Sequence, residues 1–242
     1  MANTIDVLGD DVVMDSLIER TITEMVDDKI TRLGSYAFSD CTALVNADFP
    51  AATVVGDGVF TRCTSLVSVN LPKVTSMMSN VFSGCTKLTN INLPLMTSLG
   101  SSTFYNCDSL QSIAFPEVTW IASAALSYCN NLYMVDFPKL TSIGSFVFSG
   151  DTSLFALLLR NTEKMCELSV NHYAFDGTPI ASGTGYIYVP RALVNNYKAD
   201  SQWSAYANQI RAIEDYTVDG TVTGEFASSF IGIGTLGNMR IV

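Results

Sequence analysis

Cations are scarce in this chain: 13 Lys and Arg stand against 23 Asp and Glu in 242 residues, a formal net charge of −10, and there is one histidine. Nucleic acids and anionic membrane surfaces require clustered cations, so neither is an expected partner, and a neutral or basic one is favoured. No stretch approaches the roughly 18–20 unbroken apolar residues of a membrane span, and no membrane insertion is expected. The amino-terminal stretch MANTIDVLGDDVVMDSLIERT is acidic, where a secretory signal would carry a basic region and then an apolar run. Either the chain does not leave by the general secretory route, or the sequence starts after a removed signal. Charged residues are only 15% but apolar residues are 48%, a composition of folded rather than disordered chains.

Signatures of site chemistry are missing too. Metal ligation uses Cys and His two to four residues apart, a spacing found nowhere here, so no metal or cofactor is expected. GIGTLG at 232–237 follows no strand–helix unit with a later acidic residue, which a dinucleotide site requires. His172 and Cys166 lie near each other in sequence, but no nucleophile motif surrounds them. His172 reads as a loop residue, and no catalytic residue is assigned. Asp6, Asp10, Asp11 and Asp15 could hold calcium loosely or form the solvated start of a helix; the second reading is preferred.

What is present is a period. Cys41, Cys63, Cys85, Cys107 and Cys129 are each 22 residues apart, as are Pro50, Pro72, Pro94, Pro116 and Pro138, and the threonines from Thr31 to Thr141. Three residues before each Cys stands Phe38, Phe60, Phe82, Phe104 or Leu126, and three after it Leu44, Leu66, Leu88, Leu110 or Leu132. One unit reads FTRCTSLVSVNLPKVTSMMSNV. Strand alternation points Leu66, Val69 and Leu71 inward and Ser68 and Asn70 outward. Pro72, lacking an amide hydrogen, ends the strand at the same place in each unit. A second extended run places Met77, Leu99, Ile121 and Ile143 inward, and Gly56, Gly100 and Gly144 are expected to turn the chain after it. The stretch ending in Phe and Cys reads as one helical or 3-10 turn. Buried thiols serving as small apolar groups are the expected role of the Cys row.

This Leu-x-x-Val-x-Leu strand and its 22-residue period are those of leucine-rich repeats. The expected fold is α/β: a right-handed solenoid of about seven coils with short parallel strands, roughly 35 Å long at one strand spacing per coil. An amino-terminal cap covers 1–29, with a short helix near 10–20 begun by Asp10 or Asp11. The solenoid runs 30–190 and becomes irregular from about 151, where Asp151 takes the Cys slot and Arg160 the Pro slot. A helical cap of two short helices follows at 191–214, with Pro190 near the first helical position, Ser201 capping the second helix, and Trp203, Tyr206 and Ile210 on one face. The tail 215–242 has no assigned role.

The pattern AFSDCTALVNADFP, with the ending YIYVP…YKADSQWSAYANQI, resembles BspA-type leucine-rich repeats of bacterial surface antigens over about residues 20–215. The resemblance implies a non-enzymatic binding or adhesion protein at a cell surface or on a particle, recognising protein or glycan. An alternative is a structural or assembly component of a prophage or tail-like particle, and an enzyme is the least favoured class. The outward strand rows supply the candidate ligand-binding residues Asn46, Asp48, Ser68, Asn70, Asn90, Asn92, Met134 and Asp136, flanked by Gln111, Tyr133 and Phe155. Asp48 and Asp136 are four coils apart, about 19 Å at strand spacing, too far for paired-carboxylate hydrolysis. Trp120, in an outward slot of the second run, is a second candidate contact.

Overall fold

The computed structural model describes residues 21–169, 173–215, 217–218 and 221–222. The expected helix near 10–20, the acidic residues before it, His172 and most of the 215–242 tail lie outside these residues.

The chain winds as a solenoid of stacked coils. On its main face run nine short strands: Glu24–Val26, Asn46–Asp48, Ser68–Asn70, Asn90–Asn92, Ser112–Ala114, Met134–Phe137, Ala156–Leu159, Tyr186–Val189 and Ile210–Ala212. Eight turns of chain connect them, close to the seven coils read from the sequence. Pairing is parallel, and the register advances 22 residues per coil, Asn46 to Ser68 to Asn90. It lengthens only near the end, where Ala156 pairs with Tyr186 and Ile187 with Ile210. A second ladder on another side joins Ser98–Leu99, Trp120–Ile121, Ser142–Ile143 and Glu167–Leu168.

The core is a stack of like on like. Phe38, Phe60, Phe82 and Phe104 are buried, and successive rings lie 5.3–5.4 Å apart and within 12° of parallel. Each thiol from Cys63 to Cys129 donates to the carbonyl of the Phe slot one coil back, as in Cys85 Sγ to Phe60 O at 3.1 Å and Cys107 Sγ to Phe82 O at 3.1 Å. Threonine recurs because its hydroxyl binds the carbonyl of the preceding Thr, as in Thr97 to Thr75 and Thr141 to Thr119, both 2.9 Å.

The segment through Phe and Cys is not a helical turn. Its amides alternate between partners: Ser39 N–H and Cys41 N–H donate within the coil, whereas Tyr36, Phe38 and Asp40 donate to Asp57, Val59 and Thr61 of the next coil. This third ladder requires two left-handed residues per coil, four apart, such as Tyr36 and Asp40, Ser102 and Asn106, or Ala124 and Tyr128. Each non-glycine in that region costs on the order of 1 kcal/mol, which the inter-coil hydrogen bonds offset. Nor do Gly56, Gly100 and Gly144 act as left-handed turns, since the positive-φ glycines are elsewhere. Gly100 is needed because a Cβ there would sit 2.3 Å from the Met78 carbonyl oxygen of the previous coil.

At the carboxy-terminal end, Pro190 precedes a 3-10 turn, Arg191–Leu193, and a helix, Val194–Ala199. The expected second helix is replaced by a 3-10 turn, Ser204–Tyr206, and the ninth strand, so Ile210 packs from a strand. Ser201 caps no helix here; Asp200 instead orders the residues leading into this turn, its Oδ1 accepting from Gln202 N–H at 2.9 Å and Trp203 N–H at 3.3 Å. The irregular long coil is closed by Tyr197, whose hydroxyl accepts from Cys166 N–H at 2.7 Å, and by Trp203, whose Nε1–H donates to Cys166 O at 2.7 Å.

Asp151 breaks the rule of like on like. Its Oδ1 accepts from Cys129 N–H at 2.7 Å, but the buried Oδ2 has no hydrogen-bond partner among the described residues. Burial pushes its carboxyl well above the usual carboxylate range. The folded chain therefore holds this proton more tightly than the unfolded one, and the associated stability is full below pH about 3.9 and is lost as pH rises through the elevated folded value. Asp151→Cys, which restores the repeat residue, is expected to raise stability at pH 7 by about 1–3 kcal/mol. The gain in urea denaturation should shrink toward pH 4, and a pH-independent loss of stability would contradict this reading.

Candidate functional site

Alternation along the main strands puts two rows of side chains on the outer face, and these rows change character along the solenoid. From the second strand to the fifth they are Asn46 and Asp48, Ser68 and Asn70, Asn90 and Asn92, and Ser112 and Ala114, half-buried or exposed throughout. Successive side chains bond across coils: Asn92 Nδ2 donates to Asn70 Oδ1 at 2.6 Å, and Asn70 Nδ2 to Asp48 Oδ1 at 2.6 Å. Beside this row, Asn46 Nδ2 donates to Glu24 Oε1 at 3.2 Å. The Asp48–Asn70–Asn92 chain is directional, with every amide donating toward Asp48. It stops at Ala114, which has no polar group to continue it.

Backbone pairing stops at the same place. One sheet ends with Asn90–Asn92, and the next begins with Ser112–Ala114. Thr89 N–H donates to Val67 O at 3.1 Å and Leu71 N–H to Asn92 O at 3.1 Å. The equivalent bonds one coil on, Gln111 N–H to Thr89 O and Leu93 N–H to Ala114 O, are not formed. Ile91 is consequently only half-buried, whereas Val69 and Ile113 in the same inward slot are buried. A cleft of about 510 Å³ lies along this strand, lined by Ser68, Val69, Asn70, Thr89, Asn90, Ile91 and Asn92. Sequence gave no sign of Ile91, because an inward isoleucine is ordinary in that slot.

From the sixth strand onward the outer rows are covered. Met134 and Asp136, both expected to face solvent, are buried, which removes them from the accessible site. Met134 joins Ala156, Leu158, Tyr188 and Ile213 in an apolar cluster separate from the main core. Asp136 is claimed by Arg160, whose Nε lies 2.9 Å from Oδ1; burial nevertheless pushes its carboxyl up against the pull of Arg160. The replacement of the repeat proline by Arg160 was the sequence signal for this pair. Tyr133 and Phe155 stack with centroids 5.4 Å apart and are half-buried beside the cluster, while Gln111 is exposed at its edge.

Trp120 is exposed, at 46% of its surface, but belongs to the second ladder and stands apart from the strand-face residues. A further exposed aromatic group lies on the turn side: Tyr105 against Tyr128 at 5.5 Å, and Phe146 against Tyr173 at 5.4 Å. Their slots vary in residue type from coil to coil, so no periodic signal marked them. Among the described residues no group of His, Cys, Asp and Glu could hold a metal ion, and no helix is long and apolar enough to cross a membrane.

The model of the BspA type leucine-rich repeat region matches residues 17–95 and 53–181, in six copies. Among solved structures, a leucine-rich repeat protein of T. pallidum is 24% identical, with a TM-score of 0.56, covering 63% of this chain and 77% of that one. A leucine-rich repeat protein of Bacteroides ovatus is 22% identical, with a TM-score of 0.58 and 69% and 47% coverage. The pneumococcal vaccine antigen PcpA is 15% identical, with a TM-score of 0.54 and 79% and 42% coverage. The chain thus spans less than half the length of the latter two. No curated protein matches it. At these identities the structural likeness is one of fold.

All six cysteines are buried, and none is joined in a disulfide. Burial pushes the Cys63 thiol up to about 12 and Cys85, Cys107 and Cys129 well above their ordinary value. The thiolate is the reactive form, so these groups suit packing and not nucleophilic chemistry. Raised folded values mean that stability is full below the ordinary thiol range near 8.5 and falls as pH rises through the folded values. The native chain is expected to be inert to a disulfide reagent at pH 8 and to expose six reactive thiols in urea. Rapid modification of a ladder cysteine in the native state would contradict this packing.

Proposed function

This chain belongs to the BspA type leucine-rich repeat family, and from that membership we propose that it is a non-enzymatic recognition module whose site is the amino-terminal half of the strand face. Repeat proteins of this kind typically bind other proteins, through the extended surface that stacking creates. The supporting observation is the change in the outer rows. Asn46, Asp48, Ser68, Asn70, Asn90 and Asn92 meet solvent with amides, hydroxyls and a carboxylate, whereas Met134, Asp136, Ala156 and Leu158 in the same rows are buried. Tyr133 and Phe155 border the open half and add a flat aromatic contact, a residue type enriched at interface hot spots. Protein or glycan suits this polar surface, and the net charge of −10 favours a neutral or basic partner.

The proposed place of action is a cell surface or a released particle. The description of the pneumococcal structure as a vaccine antigen motivates that placement.

The test is an array of purified glycans and purified extracellular proteins probed with the wild-type chain, the triple variant Asn70→Ala, Asn90→Ala, Asn92→Ala, and the turn-side control Tyr105→Ala. Three hydrogen-bonding groups at about 0.5–1.5 kcal/mol each give an expected loss of tenfold or more for the triple variant and none for the control. Mass spectrometry of the producing cells should find the chain enriched in surface-shaved or released material. An unchanged affinity in the triple variant contradicts the site, and confinement to the cytosol contradicts the placement.

A further inference from the structure

We propose that the strand-face hollow over Ser68–Asn70 and Asn90–Asn92, bordered by the interruption before Ser112–Ala114, is a binding cleft for a neutral saccharide chain. The inference rests on the reading of the strand face as a recognition surface and names the ligand class for it. No side chain lining the cleft carries a charge: the set is Ser68, Asn70, Thr89, Asn90 and Asn92 with Val69 and Ile91. A phosphate, sulfate or carboxylate would find no cation among them, and a basic ligand no carboxylate.

Peptide addition to the open sheet edge is disfavoured by geometry. Inserting a strand requires about twice the 4.8 Å strand spacing between the flanking strands. The same two coils are held at hydrogen-bond distance on their other sides, by Phe82 N–H to Thr103 O at 2.8 Å, Ser109 N–H to Thr86 O at 3.1 Å and Thr119 N–H to Thr97 O at 2.9 Å. The opening is therefore a wedge confined to the strand face, and no strand can be inserted between coils bonded behind it.

Hydroxyl groups suit it because each both donates and accepts. The wedge offers acceptors from one wall, Thr89 O, and a donor from the other, Gln111 N–H, neither of them used between the coils. Asn92 heads the directional amide chain: its Nδ2 is spent on Asn70, which leaves its carbonyl oxygen directed to an outside donor. The half-buried Ile91 presents an apolar edge against which the C–H face of a sugar ring packs. Amides and hydroxyls beside a small apolar patch match the hydroxyl groups and C–H faces of a sugar.

The test titrates the full chain with cellohexaose, maltohexaose and chitohexaose by calorimetry. At least one is expected to bind with a Kd below about 1 mM. That binding should weaken at least tenfold in Asn92→Ala, which removes the head of the amide chain, and in Ala114→Asn, which adds the next rung and engages the free Asn92 oxygen. Tyr105→Ala, on the turn side away from the cleft, should leave it unchanged, and thermal unfolding of each variant checks its fold. Failure of all three hexasaccharides, or binding indifferent to both cleft variants, overturns the proposal. If the hexasaccharides fail while a protein ligand still loses affinity in the strand-face triple variant, the saccharide assignment falls and the recognition face stands.

Discussion

Every residue in this solenoid must fit against its own equivalent one strand spacing away. That constraint governs the structure more than any single contact. A phenylalanine in the slot of Phe60 stacks on phenylalanines above and below. A cysteine fits because it is small and apolar yet carries a donor for the Phe carbonyl one coil back. Threonine and asparagine recur for the same reason, each closing a bond to its own kind. Because each coil contacts only its neighbours, stability accumulates coil by coil, and a foreign residue such as Asp151 must find its partner in an adjacent coil, here Cys129 N–H.

The same rule explains which features were legible in the sequence. Inward slots, strand positions and the structural role of the cysteines follow from the 22-residue period, and all appear where expected. The left-handed backbone of the turn segment was hidden because its slots are mixed: Gly58, Asn80, Gly84, Asn106 and Gly150 favour that conformation, but Tyr36, Arg62, Ser102, Ala124 and Phe146 do not, so no periodic signal marks it. Inter-coil hydrogen bonds impose it. The close approach at Gly100 was hidden likewise, since it depends on the carbonyl of Met78. Ile210 read as helical from its spacing to Trp203 and Tyr206, but pairing with Ile187 draws it into the ladder.

The outer face was half legible. Period and alternation identified which residues point out, and Asn46 to Asn92 do face solvent. They could not say which outward residues are covered by partners from a neighbouring coil, so Asp136, reached by Arg160 from the end of the adjacent strand, and Met134 were placed in the open. The break beside Asn90–Asn92 carries only the faint signature of Ala114 in a row of Asn and Asp. It divides a face that is continuous in sequence pattern into two ladders with an unpaired backbone edge between them, one strand before the covered apolar half begins at Met134.

Residue-resolved hydrogen exchange tests that division most directly. The amides of Leu93 and Gln111, which face the break, are expected to exchange at least a hundredfold faster than their repeat equivalents Leu71 and Tyr133, which are bonded to Asn92 O and Gln111 O. Equal protection of all four amides would mean that the ladder is closed along its length, and would contradict the account of the strand face.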